Sequence, residues 1–177
     1  MSYDLVITGG KVVDGTGRAP FDADVAIRDG VIVKVDEVLG GESSKVIEAD
    51  GRIVTPGFVD IHTHYDGQVT WDSQLEPSSG HGVTTVVMGN CGVGFAPVRP
   101  GQEEWLIQLM EGVEDIPGTA LSEGMDWQWE TFPEYLEALD NKEFAIDVGT
   151  QIAHGAVRAY VMGERGAKND PANPEDI

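Results

Sequence analysis

The residues best suited to chemistry are two histidines and one cysteine. His62 and His64 are separated by a single residue, and Cys91 is the one cysteine in the chain. Side chains two positions apart on a strand leave the same face, so the two imidazoles can converge on one ion. Imidazole nitrogen and thiolate sulfur are preferred ligands of zinc, and the three residues therefore predict a metal site.

Each of these residues also has a plainer interpretation. His-x-His pairs occur on exposed strand faces without a metal, and a lone free cysteine is usually a small buried hydrophobe. Cys91, however, lies between glycines in the segment Gly89-Asn90-Cys91-Gly92, where backbone freedom matters more than packing. A Cys–His nucleophile, with His62 or His64 as its base, is a further alternative that the residues leave open.

Three more residues are candidates for supporting roles. Asp60 lies two residues before His62 on the same strand face, where its carboxylate can orient an imidazole N–H or hold the strand end. His154 closes a third apolar segment and fits a structural role as well as a role in the site. Arg158, four residues later, is expected to be structural.

Apolar segments predict the strands that must position these side chains. Three apolar runs, 57–64, 83–91 and 144–154, each lead into a polar loop. Apolar residues at helical spacing predict helices at 103–110 and 132–139. Strands that alternate with helices indicate a parallel α/β sheet or barrel, in which ligands gather at the carboxyl ends of the strands.

The N-terminal part of the chain has a different pattern, with short β-branched runs separated by glycines. We interpret Gly9-Gly10 as a break between two strands. Three Asp-Gly pairs predict hairpin turns, since both residues tolerate positive φ: Asp14-Gly15, Asp29-Gly30 and Asp50-Gly51. The predicted organisation is a β unit at 1–56 and an α/β domain at 57–177, with an acidic helical insertion at about 101–143.

Composition limits the partners. The chain has 177 residues, of which 31 are acidic and 11 basic, giving a formal charge of −20. Nucleic acid and anionic membrane surfaces would be repelled, so neither is an expected partner. The acidic residues concentrate at 101–147, where a solvated helical surface is expected. Trp105, Trp127 and Trp129 in this stretch are expected to bury aromatic area, with a lid over a ligand as the alternative. The chain has no export signal and no long apolar run, which predicts a cytoplasmic protein.

These motifs together resemble the amidohydrolase superfamily and, more narrowly, the N-acyl-D-amino-acid deacylases, or D-aminoacylases. Three segments carry most of the resemblance: Val54-Thr55-Pro56-Gly57-Phe58-Val59-Asp60-Ile61-His62-Thr63-His64-Tyr65-Asp66, His81-Gly82-Val83-Thr84-Thr85 and Gly89-Asn90-Cys91-Gly92-Val93-Gly94-Phe95-Ala96-Pro97. The cysteine segment is the most specific, because dihydropyrimidinases and dihydroorotases share the histidine pair but not this segment.

The resemblance implies a fold class. It is α/β, with a small N-terminal β-sandwich-like unit that belongs to a composite domain. The first part of a metal-dependent (β/α)8 TIM barrel follows, truncated after about three of the eight strands that such a barrel needs. His154 matches a histidine in the family's Gly-His-x-x-x-Arg-like segment, without an assigned role.

The resemblance also implies a function. One or two Zn²⁺ ions would be bound, with His62, His64 and Cys91 as ligands, and the substrate would be a small-molecule N-acylated D-amino acid whose amide bond is hydrolysed. An aspartate acting as general base is expected downstream of Ile177, so the chain alone is expected to be inactive. Substrate-binding residues and the oligomeric state are left unassigned. Two alternatives stay open: another amidohydrolase such as a dihydropyrimidinase or hydantoinase, and an inactive fragment or interaction module.

Overall fold

The chain folds as two units, Met1–Pro56 and Gly57–Ile177, in a computed structural model that describes residues 2–114 and 116–177. Five strands make up the first unit: β1 (Ser2–Val12), β2 (Phe21–Arg28), β3 (Val31–Asp36), β4 (Glu42–Glu48) and β5 (Ile53–Val54). They form one sheet in the order β3-β2-β1-β4, with β5 also paired to β1. The described residues of this unit contribute this single layer, in which β1 and β2 are antiparallel while β4 and β5 run parallel to β1.

The Asp-Gly pairs behave differently from one another. Asp29 and Gly30 have φ values of +51° and +72° and join the antiparallel strands β2 and β3, which confirms the predicted hairpin there. Asp14-Gly15 lies within a longer connection, residues 13–20, between β1 and β2. At Asp50-Gly51 the hairpin prediction is wrong. Both residues have positive φ, but β4 and β5 on either side both run parallel to β1. The turn therefore connects two strands that pair with β1 and do not pair with each other.

Gly9-Gly10 was expected to separate two strands, and this expectation is wrong. Strand β1 continues through it as a bulge, with a register shift against β2 between Ile7 and Gly10. Gly9 adopts a φ of +63°, and its N–H donates to the Asp24 carboxylate at 2.8 Å. The side chain thus replaces the ladder hydrogen bond that the bulge interrupts.

The second unit contains a parallel sheet of three strands, as predicted. These are β6 (Phe58–Thr63), β7 (Val83–Met88) and β8 (Asp147–Thr150), in the order β6-β7-β8. Strand β7 is rich in β-branched residues, which favour an extended backbone, and its Val86 and Met88 are fully buried. The third strand is shorter than the predicted segment 144–154, because the chain leaves the sheet after Thr150.

The described residues of the second unit also form five α-helices. They are α1 (Glu103–Glu114), α2 (Gly118–Gly124), α3 (Phe132–Asp140), α4 (His154–Met162) and α5 (Glu164–Ala167). The helices predicted at 103–110 and 132–139 are therefore confirmed as α1 and α3. None of the helices in the described part of the chain is long and apolar enough to cross a membrane.

Helix α3 begins with a capping box. The Thr131 hydroxyl accepts a hydrogen bond from the Glu134 N–H, and the Glu134 carboxylate accepts from the Thr131 N–H. The backbone N–H of Thr131, the backbone N–H of Glu130 and the Thr131 hydroxyl lower the pKa of the Glu134 carboxyl below its ordinary value of 4.5. This cap fixes the start of the helix that carries Tyr135.

The tryptophans of the acidic segment lie in the apolar core of the second unit. Trp129 is buried, and Trp105 and Trp127 are partly buried against the same apolar cluster as the sheet. Trp127 contacts Phe95 and Trp129, with ring centroids 6.2 and 5.2 Å away. The expectation that these side chains bury aromatic area is confirmed, and Glu104 and Glu111 of α1 and Glu134, Glu137 and Asp140 of α3 are exposed.

Candidate metal centre

The three residues singled out from the sequence meet at one edge of the parallel sheet. His62 lies in β6, His64 follows the last residue of that strand, and Cys91 lies three residues beyond β7. Since β6 and β7 are parallel neighbours, their carboxyl ends are adjacent. The donor atoms of His62, His64 and Cys91 all lie within 4.8 Å of one another, and we call these three residues the donor cluster.

The spacing of the donor cluster suits one small cation. Cys91 Sγ lies 3.4 Å from His64 Nε2, and the rings of His62 and His64 stack with centroids 5.7 Å apart and planes 19° apart. Zinc bonds of about 2.3 Å to sulfur and about 2.0 Å to nitrogen place two ligands of a tetrahedral ion about 3.5 Å apart. The observed Sγ–Nε2 distance is close to that value, and His62 completes a set whose donor atoms all lie within 4.8 Å of one another.

The donor cluster is open to solvent. His62 and Cys91 are exposed, whereas His64 is half-buried. Structural zinc sites are closed by four protein ligands, while catalytic sites keep a position free for water or substrate.

Hydrogen bonds hold the backbone around the donor cluster. Asp60 Oδ1 accepts from the backbone N–H of His62 at 3.2 Å, so of its two suggested roles the structure contains the one at the strand end. Asn90 Nδ2 donates to the Ile61 carbonyl at 3.1 Å and ties the Cys91 loop to β6. Thr63 Oγ1 donates to the Val87 carbonyl at 3.0 Å, which links the ends of the same two strands.

A glycine makes the turn from β7 into the Cys91 loop. Gly89 has a φ of +79°, and a Cβ built on it would lie 2.1 Å from the Gln151 carbonyl oxygen. Gln151 in turn donates its N–H to the Met88 carbonyl at 3.0 Å. The segment after β8 therefore lies directly beside the turn that leads to Cys91, and only glycine fits at position 89.

His154 does not join the donor cluster. It was expected to close the third strand, but it is the first residue of α4, four residues beyond Thr150, and it is exposed. The beginning of α4 nevertheless contacts the Cys91 loop, because the Gly155 N–H donates to the Gly92 carbonyl at 2.8 Å. Residues of the Cys91 loop and of helices α1, α4 and α5 line a cavity of about 260 Å³. Arg158 borders it and donates from Nη2 to the Asp170 carbonyl at 2.6 Å, consistent with the structural role expected of it.

Sequence reasoning assigned no role at the site to three residues, Asn90, Trp129 and Tyr135, of which Trp129 was expected only to bury aromatic area. Asn90 stood next to Cys91 in a recognised segment, so its position could have suggested a role. Trp129 and Tyr135 gave no such signal, yet Trp129 Nε1 donates to the Phe95 carbonyl and the Tyr135 hydroxyl donates to the Asp66 carbonyl, both at 2.8 Å. Hydrogen bonds across 34 and 69 residues depend on tertiary structure and leave no local pattern.

A parallel sheet whose carboxyl ends gather histidine and cysteine donors is typical of metal-dependent α/β hydrolases. The sequence agrees with this class, since residues 45–177 match the model of the Amidohydrolase family. The match covers well over half of the chain. The chain belongs to the amidohydrolase family.

Several of the relatives are named as deacylases, while an uncharacterised protein of Mycobacterium tuberculosis is 36% identical over 99% of this chain and 29% of its own length. A D-aminoacylase of Alcaligenes xylosoxydans xylosoxydans is 31% identical over 160 residues, which cover 90% of this chain and 31% of the relative. A D-aminoacylase structure with a binuclear metal centre superimposes with a TM-score of 0.73 at 33% identity, over 90% of this chain and 31% of that one. An N-acyl-D-glutamate deacylase from Bordetella bronchiseptica, solved with zinc and a phosphonate inhibitor, gives 0.71 at 31% identity, over 99% and 34%.

The chain spans about a third of the length of these relatives. Within that share, both solved structures follow its fold at TM-scores above 0.7. The predicted fold class, a β unit followed by the first strands of an amidohydrolase barrel, is confirmed by these neighbours, as is the resemblance to the deacylases.

Proposed function

We propose that this protein is a zinc-dependent hydrolase that removes the acyl group from N-acyl-D-amino acids. The observation that carries the proposal is the donor cluster, with all donor atoms within 4.8 Å at the ends of adjacent parallel strands. Family membership and the deacylase relatives support the reaction class. The reaction adds water across the amide C–N bond and yields a carboxylate and a free D-amino acid.

In this proposal His62, His64 and Cys91 would hold the metal, as one site or as part of a site for two ions. A bound zinc ion polarises the amide carbonyl and lowers the pKa of a bound water. Two side chains fix the positions of the donors. Asp60 accepts a hydrogen bond from the His62 backbone, and Asn90 donates one that holds the Cys91 loop against β6. The aspartate that serves as general base is proposed to lie outside residues 1–177.

The remaining assignments follow from the same proposal. Cys91 needs to be a free thiol to bind metal, and the reducing cytoplasm is the compartment that we propose for the protein. His154 is proposed as a neighbour of the site, acting through the contact between α4 and Gly92, rather than as a ligand. The substrate is proposed to be a small molecule, because the N-acyl-D-aspartate deacylase and the N-acyl-D-glutamate deacylase among the relatives are named for substrates of that kind.

Metal content tests the proposal directly. In the full-length protein, Cys91→Ala and His64→Ala are expected to lower the zinc content measured by mass spectrometry and to abolish release of amino acid from N-acetyl-D-amino acids. His81→Ala is the matched control, because His81 is also exposed and lies in the same unit, with Nδ1 at 2.8 Å from the Pro77 carbonyl oxygen. Retention of zinc and activity by Cys91→Ala would overturn the assignment.

The 3.4 Å contact between Cys91 and His64 also fits the second candidate, a Cys–His nucleophile. Chelation separates the two. If the donor cluster binds a catalytic metal, removing it with 1,10-phenanthroline stops the deacylation, and added Zn²⁺ restores it. A thiolate nucleophile continues to turn over without metal and is instead blocked by iodoacetamide in the presence and absence of zinc alike.

A further inference from the structure

The loops that carry His64 and Cys91 are each held by a residue of the acidic helical segment. The Tyr135 hydroxyl donates to the carbonyl of Asp66, two residues after His64, at 2.8 Å. The indole N–H of Trp129 donates to the carbonyl of Phe95, four residues after Cys91, also at 2.8 Å. Both hydrogen bonds are buried, so water does not compete for the carbonyls.

The side chains of Trp129 and Tyr135 also contact each other. The rings of Trp129 and Tyr135 meet edge to face with centroids 4.9 Å apart, and both side chains are at most 7% exposed. We call them the aromatic pair. Tyr135 lies in the first turn of α3, which the capping box of Thr131 and Glu134 fixes. The aromatic pair therefore forms hydrogen bonds to the His64 loop and to the Cys91 loop at the same time.

The loops also pack against one another beneath the donor cluster. Asp66 is 3% exposed, and a Cβ on Gly94 would lie 3.1 Å from its Oδ1 and 2.6 Å from the Ala153 Cβ. Gly94 belongs to the Cys91 loop, and Ala153 precedes α4. The atoms at this junction are closely packed. A change in the hydrogen bond to either carbonyl should therefore alter the distance between His64 and Cys91.

We infer that Trp129 and Tyr135 are positioning residues that set the separation between His64 and Cys91, which makes the acidic segment 101–143 part of the support of the metal site. This inference rests on the proposed function. The segment is then neither a lid over a ligand nor only a solvated surface. Partners that orient metal ligands typically contribute about 10-fold to 100-fold in metal affinity, and a hydrogen bond to the backbone belongs at the lower end.

Cobalt binding to the metal-free full-length protein tests the inference without reference to activity. Tyr135→Phe removes one hydroxyl and keeps the ring, and we expect about 10-fold weaker Co²⁺ binding together with a weaker thiolate-to-cobalt absorption band. Trp129→Phe removes the indole N–H and is expected to do the same. The double variant should lose less than the product of the two single effects, because the pair acts as one body.

Tyr160→Phe is the matched control. Its hydroxyl donates to Glu130 Oε1 at 2.8 Å, so the variant loses a hydrogen bond of the same length from a partner outside the two ligand loops. It should bind Co²⁺ with unchanged affinity and spectrum even if its melting temperature falls as far as that of Tyr135→Phe. A purely structural role for Tyr135 predicts the same cobalt behaviour for both variants.

The failures of the inference and of the proposed function are distinguishable. If the unsubstituted protein binds neither Co²⁺ nor Zn²⁺, the proposed metal site is wrong and the inference falls with it. If Cys91→Ala abolishes cobalt binding but Tyr135→Phe and Trp129→Phe leave its affinity and spectrum unchanged, the metal site stands and the positioning role is refuted.

Discussion

Replacing Gly89 by alanine should disrupt the turn that carries the chain from β7 to Cys91. Two costs add. An L-residue at a φ of +79° is strained by about 1–2 kcal/mol. The new Cβ would also lie 2.1 Å from the Gln151 carbonyl oxygen, a backbone atom that cannot rotate away. Moving two backbone segments apart by more than 1 Å is comparable to overpacking a core and costs about 1–3 kcal/mol.

The expected loss for Gly89→Ala is therefore about 2–5 kcal/mol in the free energy of unfolding. Gly101→Ala is the matched control, because Gly101 has a φ of +80° in the same unit and nothing within 4 Å of its built Cβ. It carries the conformational cost alone, about 1–2 kcal/mol. The difference between the two variants isolates the contact with Gln151.

Urea unfolding followed by tryptophan fluorescence measures both variants, since Trp127 and Trp129 report on the core of this unit. The same proteins can be titrated with zinc, and Gly89→Ala should bind it more weakly because its strain lies two residues from Cys91. Equal stability losses in the two variants, within about 0.5 kcal/mol, would refute the close approach of Gln151 to Gly89.

Three further perturbations have defined outcomes. Asn90→Asp cannot donate to the Ile61 carbonyl, and it should weaken zinc binding about 10-fold while the melting temperature changes little; unchanged zinc affinity would contradict the role of that hydrogen bond. Because the pKa of the Glu134 carboxyl is lowered on folding, its stabilising effect is complete above pH 4.5 and is lost as the pH falls through the lower folded-state value. Amide exchange at the start of α3 should accelerate in that range, and Glu134→Gln should show no such pH dependence. Leu121→Ala should cost about 2–5 kcal/mol, because Leu121 is 0% exposed, whereas Leu136→Ala, at 41% exposed, should cost far less; similar losses would count against the burial of α2.

Local pattern was sufficient for two strands and two helices of the second unit and for the donor cluster. Alternation of apolar runs with helical spacing predicts β6, β7, α1 and α3, since each depends on its own residues. His62 and His64 are two apart on one strand, so their convergence follows from strand geometry. Cys91 was added on the premise that parallel strands end at the same edge, which the sheet of β6 and β7 satisfies.

The errors arise where tertiary contacts decide the structure. Gly9-Gly10 has the composition of a break, but the Asp24 carboxylate accepts the Gly9 N–H and lets β1 continue. Asp50-Gly51 has the composition of a hairpin, but both flanking strands pair with β1 instead of with each other. His154 was displaced from its expected strand end because β8 stops at Thr150, and no residue type in the segment marks that point.

The hydrogen bonds of the aromatic pair also constrain the order in which the molecule can assemble. Trp129 reaches back 34 positions to Phe95, and Tyr135 reaches back 69 positions to Asp66. On the ribosome, at about 5–20 residues per second, the His64 and Cys91 loops emerge some seconds before the residues that hold them. The donor cluster therefore obtains its final support only after α3 has been synthesised.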